Sequence, residues 1–222
     1  MEGVLQALVA GDIWMWLIMA VSIITLWIVM ERFRALYFKF NVDGAQFFSQ
    51  VQKLVMQNNI DRAVKLCNAA ADKPLSRVLK AALTRANKNE LEIGNAVEET
   101  TIEVVPLVQK RLSNLPVLAN VATLMGLAGT IAGMIESFKG LGGVSADKRQ
   151  EMLSAGISLA MYATAFGLLV AIPALMAHMY LNDKARQIVI DIDRYAMRLQ
   201  NLLVNRLRGG MAQAAPAEES KA

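Results

Sequence analysis

Two long stretches in the C-terminal half of this chain, Val117–Ile135 and Met152–Leu181, contain no Asp, Glu, Lys or Arg. A bilayer core of ~30 Å is crossed by roughly 20 apolar residues in a helix. Both stretches are long enough to do so, and that sharply narrows the folds open to the chain. Neither is uniformly greasy. Thr130 and Thr164 sit mid-span among glycines and alanines. A helix facing only lipid has no use for that pattern, whereas one packed closely beside a polar path does.

A third stretch, Ile13–Met30, runs eighteen residues without a charge. Glu2 and Asp12 precede it, no small-residue cleavage site follows, and Trp14, Trp16 and Trp27 bracket it as interfacial anchors would. It reads as a retained span. A chain that is 55% hydrophobic and 19% charged with a mean hydropathy of +0.36 must segregate the two kinds of residue, and these spans do so. The net charge of +4 is topological. Lys and Arg number 13 in residues 31–116, 7 in 182–222 and 3 in 139–151, with none in the first 12. The positive-inside rule places 31–116 and the C-terminus in the cytoplasm, with the N-terminus and the 139–151 hairpin opposite. Because acids are interleaved among the bases, the expected contact is a lipid bilayer and no nucleic acid.

The expected fold is an all-α integral membrane protein with three transmembrane helices, two of them extending into a helical cytoplasmic region. The segments are 1–12 (N-terminus), 13–30 (first span), 31–116 (cytoplasmic helical region), 117–138 (second span), 139–151 (hairpin), 152–181 (third span), 182–208 (cytoplasmic helix extension) and 209–222 (disordered tail). Within 31–116 the apolar sets Phe47/Val51/Leu54/Val55, Ala63/Leu66/Cys67/Ala70 and Leu75/Val78/Leu79/Ala82 have helical spacing. Asn59 or Asp61 would start one helix and Pro74 the next. A set of amphipathic helices follows, rather than a separate globular domain. The stretch 90–116 leads into the second span without a strong break, though Pro106 and Pro116 can kink it. Ile188, Ile192, Tyr195, Leu199, Leu202 and Leu203 form one stripe, so the third span should run on as a single helix until Gly209-Gly210 ends it.

Gly126, Gly129 and Gly133 in the second span, and Ala163, Gly167 and Ala171 in the third, form ladders that let helix backbones approach closely. These residues are assigned to packing. Each threonine hydroxyl could bond back to its own helix carbonyl, or both could face one interior. Neither titrates, so they can solvate a charge but not carry it. Ion-path candidates are Thr130 and Thr164, with Ser158 and Tyr162 as further polar lining and Glu136 at the outer mouth. His178 lies near the inner end of the third span. Cys67 is the single cysteine and reads as a small buried residue, with no second cysteine for a disulfide or a metal pair. No catalytic constellation, metal-ligand cluster or phosphate loop is present, so neither an enzyme nor a bound metal or cofactor is expected.

The run Leu124-Met125-Gly126-Leu127-Ala128-Gly129-Thr130-Ile131-Ala132-Gly133 resembles the L-x-G-L-x-G-T-x-x-G signature of the ExbB/TolQ/MotA proton-channel family. Gly156-Ile157-Ser158, Thr164-Ala165, Gly167-Leu168 and Val170-Ala171-Ile172-Pro173-Ala174 resemble its third-span signature, and Glu31-Arg32 also looks like the family. Two positions depart from it: Leu159 stands where ExbB and TolQ usually carry glutamate, and Thr123 where proline is frequent. Three spans, rather than the usual four of MotA-type stators, set the chain apart from the flagellar branch. The resemblance implies a multi-pass subunit of the bacterial inner membrane, with its N-terminus periplasmic and its C-terminus cytoplasmic. It also implies a homopentamer around single-span ExbD/TolR/MotB-like partners, a pair of them in the pore. The partner's membrane aspartate would carry the proton, and Thr130 and Thr164 match the family's pore-facing threonines. The expected function is an ion-driven channel or motor subunit that turns the ion-motive force into work or transport at the envelope. The alternative is a non-conducting membrane scaffold that binds a partner helix.

Overall fold

The structure is a computed structural model that describes residues 13–40, 43–141 and 145–218. The expected N-terminal segment 1–12, the tip of the hairpin and the last four residues of the tail lie outside the described residues. The elements are α1 (Ile13–Arg34), a π-helical turn (Ala35–Lys39), α2 (Gly44–Met56), α3 (Ile60–Ala69), α4 (Pro74–Thr84), α5 (Glu90–Gln109), α6 (Asn114–Lys139) and α7 (Ala146–Glu218). Among the described residues, three helical stretches are long and apolar enough to cross a membrane, and the chain is an all-α membrane protein.

The chain divides into two compact units. The first takes in α1, α6 and α7 as far as Leu181; the second takes in α2 to α5 and α7 from Asn182. In the first unit, α6 and α7 run antiparallel along a seam of small residues. A Cβ added to Gly126 would come within 3.0 Å of the Ala163 carbonyl oxygen and 3.1 Å of the Thr164 Cα. One added to Gly133 would meet the Ala160 Cβ at 3.0 Å, and one on Gly167 the Ala122 carbonyl oxygen at 2.7 Å. Gly156 lies against the Ser137 side chain. Gly129 lies against both Ala163 and the Trp14 side chain of α1. Ala119, Ala171 and Ala174 are buried together at one end of the seam. Large apolar residues such as Leu124, Leu127, Leu169 and Ile172 point outward and are 52–67% exposed. Such an inversion, small residues in and large ones out, is expected where the surroundings are lipid or further helices.

The second unit has the opposite texture. Its core joins Phe48 and Val51 of α2, Cys67 of α3, Leu79 and Leu83 of α4, Ile93 of α5, and Ile192 and Leu199 of α7. The apolar stripes of four short helices and the α7 stripe cover one another, and so form a core of their own. That differs from the expectation of helices without a domain. Each stripe is insufficient alone, but five together close an interior, with Phe48 stacked on Tyr195 at 5.2 Å between ring centroids. The local starts have simple causes. The Asp43 carboxylate accepts from the Gln46 backbone N–H at 3.2 Å and caps α2. Pro74 sits in the first turn of α4, where its missing N–H costs nothing. Asp61 lies in the first turn of α3, favourably placed for the helix dipole.

Two element boundaries differ from expectation. Residues 90–116 do not lead smoothly into the second span. α5 ends at Gln109, α6 begins at Asn114, and Arg111 between them is left-handed with φ 59°. Pro116 cannot donate to the Leu112 carbonyl, so the helical ladder lacks a bond just where the chain turns. The turn is tied by Asn114 N–H to Arg111 O and Leu115 N–H to Leu112 O, both 3.2 Å. Pro106, by contrast, is accommodated inside α5. At the other end, α7 passes through Gly209 and Gly210 to Glu218 rather than stopping at the glycine pair. Glycine weakens a helix by about 1 kcal/mol relative to alanine but keeps its N–H donor, so it does not by itself break the ladder.

Candidate site at the threonine pair

The first unit brings Thr130 and Thr164 together. On α6 and α7 respectively, their hydroxyls are in hydrogen-bond contact with each other. Both also approach one backbone atom: the Gly126 carbonyl accepts from Thr130 Oγ1 at 2.9 Å and from Thr164 Oγ1 at 3.0 Å. The first of the two alternatives left open by the sequence holds for one threonine of the pair. Thr130 bonds back to its own helix, while Thr164 reaches across to the neighbouring one. Gly126 makes the reach possible, because any side chain there would collide with Thr164.

The proton arithmetic limits what this cluster can do. Each hydroxyl has one proton to donate and two lone pairs. With both protons directed to the Gly126 carbonyl or to the other hydroxyl, what remains on the oxygens is acceptor capacity. The half-buried pair therefore suits a donor approaching from outside the chain: water, a hydrated proton or a protonated carboxyl. It cannot itself supply or store a proton at neutral pH.

The other candidates lie elsewhere. Ser158 and Tyr162 are exposed. Tyr162 precedes Thr164 by two positions, about 200° around the helix, and Ser158 is six residues away, about 240° around. Ser158 lines a separate shallow surface with Gln150, Glu151 and Ser154. Glu136 is exposed and lies six residues beyond Thr130, roughly 9 Å along the axis. The pair is thus not joined by Ser158, Tyr162 or Glu136 within one copy of the chain. Gly126, Gly129, Gly133, Ala163 and Gly167 lie in the seam that presses the threonines together, and Ala171 lies in the alanine cluster further along it. Ser137 donates to the Gly133 carbonyl at 2.8 Å. His178 is half-buried, and its Nδ1 is enclosed with no hydrogen-bond partner among the described residues.

Three features were not singled out from sequence. The Gly126 carbonyl is a backbone group and carries no side-chain signal. Its involvement could have been anticipated only by folding Val117–Lys139 back on α7 in register. Thr25 is buried in α1 and donates to its own helix at Val21 O, 2.7 Å away. The third is a cluster in which Arg111 pairs with Glu31 and lies over the Trp27 ring at 5.2 Å, while Glu31 also pairs with Arg32 at 3.1 Å. The residues involved are 80 positions apart, so no local pattern joins them. Outside this site, burial pushes the Cys67 thiol up to about 11, and the Ser76 hydroxyl donates to the Cys67 carbonyl at 2.7 Å.

A profile described as the MotA/TolQ/ExbB proton channel family matches residues 70–194. Among curated proteins, the chain is 30% identical over 146 residues to a putative biopolymer transport protein ExbB-like 3 of Synechocystis sp., covering 61% of this chain and 70% of that protein. It is 26% identical over 181 residues to a putative biopolymer transport protein ExbB homolog of Methanothermobacter thermautotrophicus, covering 82% of this chain and 63% of that one. It is 34% identical over 95 residues to the Tol-Pal system protein TolQ of Haemophilus influenzae, covering 43% and 41%. The matched part thus spans between two fifths and 70% of the length of these relatives. Among solved structures, C. jejuni MotAB aligns over 92% of this chain and 88% of the matched chain, with a TM-score of 0.66 at 16% identity. That likeness is one of fold.

Proposed function

We propose that this chain, which belongs to the MotA/TolQ/ExbB proton channel family, is the multi-copy subunit of an ion-driven envelope machine, its threonine pair lining the path. The observation that carries this reading is the convergence of Thr130 and Thr164 on the Gly126 carbonyl. Two hydroxyls whose protons are committed to the Gly126 carbonyl or to each other, set between two uncharged spans, form a relay point for a charge brought by another chain. That chain is a single-span partner of the ExbD/TolR/MotB kind, two copies of which sit in a pore formed by five copies of this one. The partner's membrane carboxyl carries the proton, and its protonated form donates to the threonine oxygens as it passes.

The orientation follows from the basic residues. The second unit lies in the cytoplasm of a bacterial inner membrane, and the N-terminus and the 139–151 hairpin face the periplasm. Each charge crossing yields ~2.3 kcal/mol per 100 mV, so useful work takes several ions per cycle.

The test is Thr164→Val in the assembled complex reconstituted in liposomes with its partner. Valine keeps the shape and removes the hydroxyl. Ion flux is expected to fall at least tenfold while subunit number is unchanged. Undiminished flux would remove the threonines from the path. Absence of flux in the unaltered complex would favour the non-conducting scaffold.

A further inference from the structure

Charge in the second unit is sorted by helix. Residues 44–88, covering α2 to α4, hold eight lysines and arginines against two aspartates, whereas α5 holds five glutamates and no base. Part of this imbalance is resolved within the chain: Arg77 pairs with Glu103 at 3.5 Å, Arg85 with Glu92 at 3.7 Å and Arg208 with Glu90 at 2.9 Å. Exposed charges that make no ion pair among the described residues include Glu98 and Glu99 of α5 and Asp193 of α7, and, within residues 44–88, Lys53, Arg62, Lys65 and Lys88 together with Asp61 and Asp72.

Glu98 and Asp193 line a cleft of about 770 Å³ between α5 and the α7 stretch near Gln200. Its walls include Leu91, Ile102 and Met197, which are 70%, 67% and 60% exposed. Large apolar side chains grouped on a charged surface mark a place that something covers. Arg62 and Lys65 lie one turn apart on the outer face of α3, with Asp61 beside them at the helix start and the exposed small residue Ala69 one turn further. α4 packs between α3 and α5, so this basic face and the acidic cleft belong to different sides of the unit.

We propose that the cleft between α5 and α7 receives the outer face of α3 from a neighbouring copy of this chain. Leu91, Ile102 and Met197 cover the aliphatic stems of Arg62 and Lys65, whose charged heads reach Glu98 and Asp193. Ala69 lets the incoming helix settle. The contact is heterologous, since each copy offers one face and accepts the other, and such a contact closes into a ring when its rotation permits. This inference rests on the multi-copy assembly proposed above and names the surfaces that meet in its cytoplasmic part.

The test uses full-length chains in a Cys67→Ala background, one set carrying Met197→Cys and the other Ala69→Cys, co-expressed with the partner. Oxidation should link the two sets into a mixed dimer. Arg62→Glu with Lys65→Glu in the Ala69→Cys chain should cut that yield at least tenfold. Adding Glu98→Lys and Asp193→Lys to the Met197→Cys chain should restore it, which a merely misfolded variant would not allow. If no mixed dimer forms although native mass spectrometry shows the full subunit number, the assembly stands and this contact is wrong. A cysteine linked to a different protein overturns the contact in favour of that partner. If the unaltered chain is a monomer, the contact falls together with the multi-copy reading.

Discussion

At the scale of single residues, Gly126 serves two ends, one through its absent side chain and one through its carbonyl. Gly126→Ala would place a methyl 3.0 Å from the Ala163 carbonyl oxygen and 3.1 Å from the Thr164 Cα. Both are backbone atoms and yield little. Overpacking of this kind costs about 1–3 kcal/mol, and the seam must widen. The expected outcome is a lower thermal midpoint in detergent together with the same flux defect as Thr164→Val, because the bond from Thr164 to the Gly126 carbonyl is lost; wild-type flux and stability would count against the seam geometry. Cys67 offers a separate test in the second unit. Burial raises its pKa from 9.0 to about 11, so the folded chain holds the thiol proton where the unfolded chain has released it. Stability contributed by that proton is intact below pH 9 and lost as pH rises toward 11. Unfolding midpoints followed across this interval should fall in the native chain and less steeply in Cys67→Ala. Iodoacetamide should react slowly with the native thiol and quickly once the chain is denatured.

At the scale of elements, the second unit depends on short helices that bury one stripe each. Leu79 of α4 is completely buried within that core. Truncation to alanine there removes buried methyl groups and leaves a cavity, at a cost of about 2–5 kcal/mol. Leu79→Ala should therefore lower the denaturant midpoint of the second unit, read by the fluorescence of a tryptophan introduced at Tyr195, while leaving the helicity of the spans in place. Much of this architecture was legible beforehand. Leu75, Val78, Leu79 and Ala82 share one helical face in the sequence and are buried together in the structure, because amphipathic spacing is a local property. The three spans were legible for the same reason. The break at 110–113 was not, since the left-handed Arg111 is tied to Glu31 and Trp27, partners distant in sequence. The threonines could be named from their surroundings, but the bond that unites them runs to a carbonyl, and every residue has one of those. Ser158 and Tyr162 shared a span with Thr164 without sharing its face, a distinction that helical angles alone could have drawn.

At the scale of the whole molecule, the proposed orientation has a direct test. In a Cys67→Ala background, a cysteine at Ser145, next to the hairpin tip, should react with a membrane-impermeant maleimide in intact cells. A cysteine at Asn58, at the end of α2, should react only after the inner membrane is opened. The reverse pattern would overturn the proposed topology. The seam between α6 and α7 carries a further consequence. Glycine and alanine backbones sit so close that sliding one helix along the other by a residue would drive methyl groups into carbonyl oxygens. Nor can either helix spin about its own axis, because Gly126, Gly129, Gly133 and Gly167 are spent on one face. The helical hairpin therefore behaves like a single plank, which can lean as a whole but cannot be sheared along the seam. In the multi-copy assembly proposed above, any stroke would come from tilting each such pair as a unit.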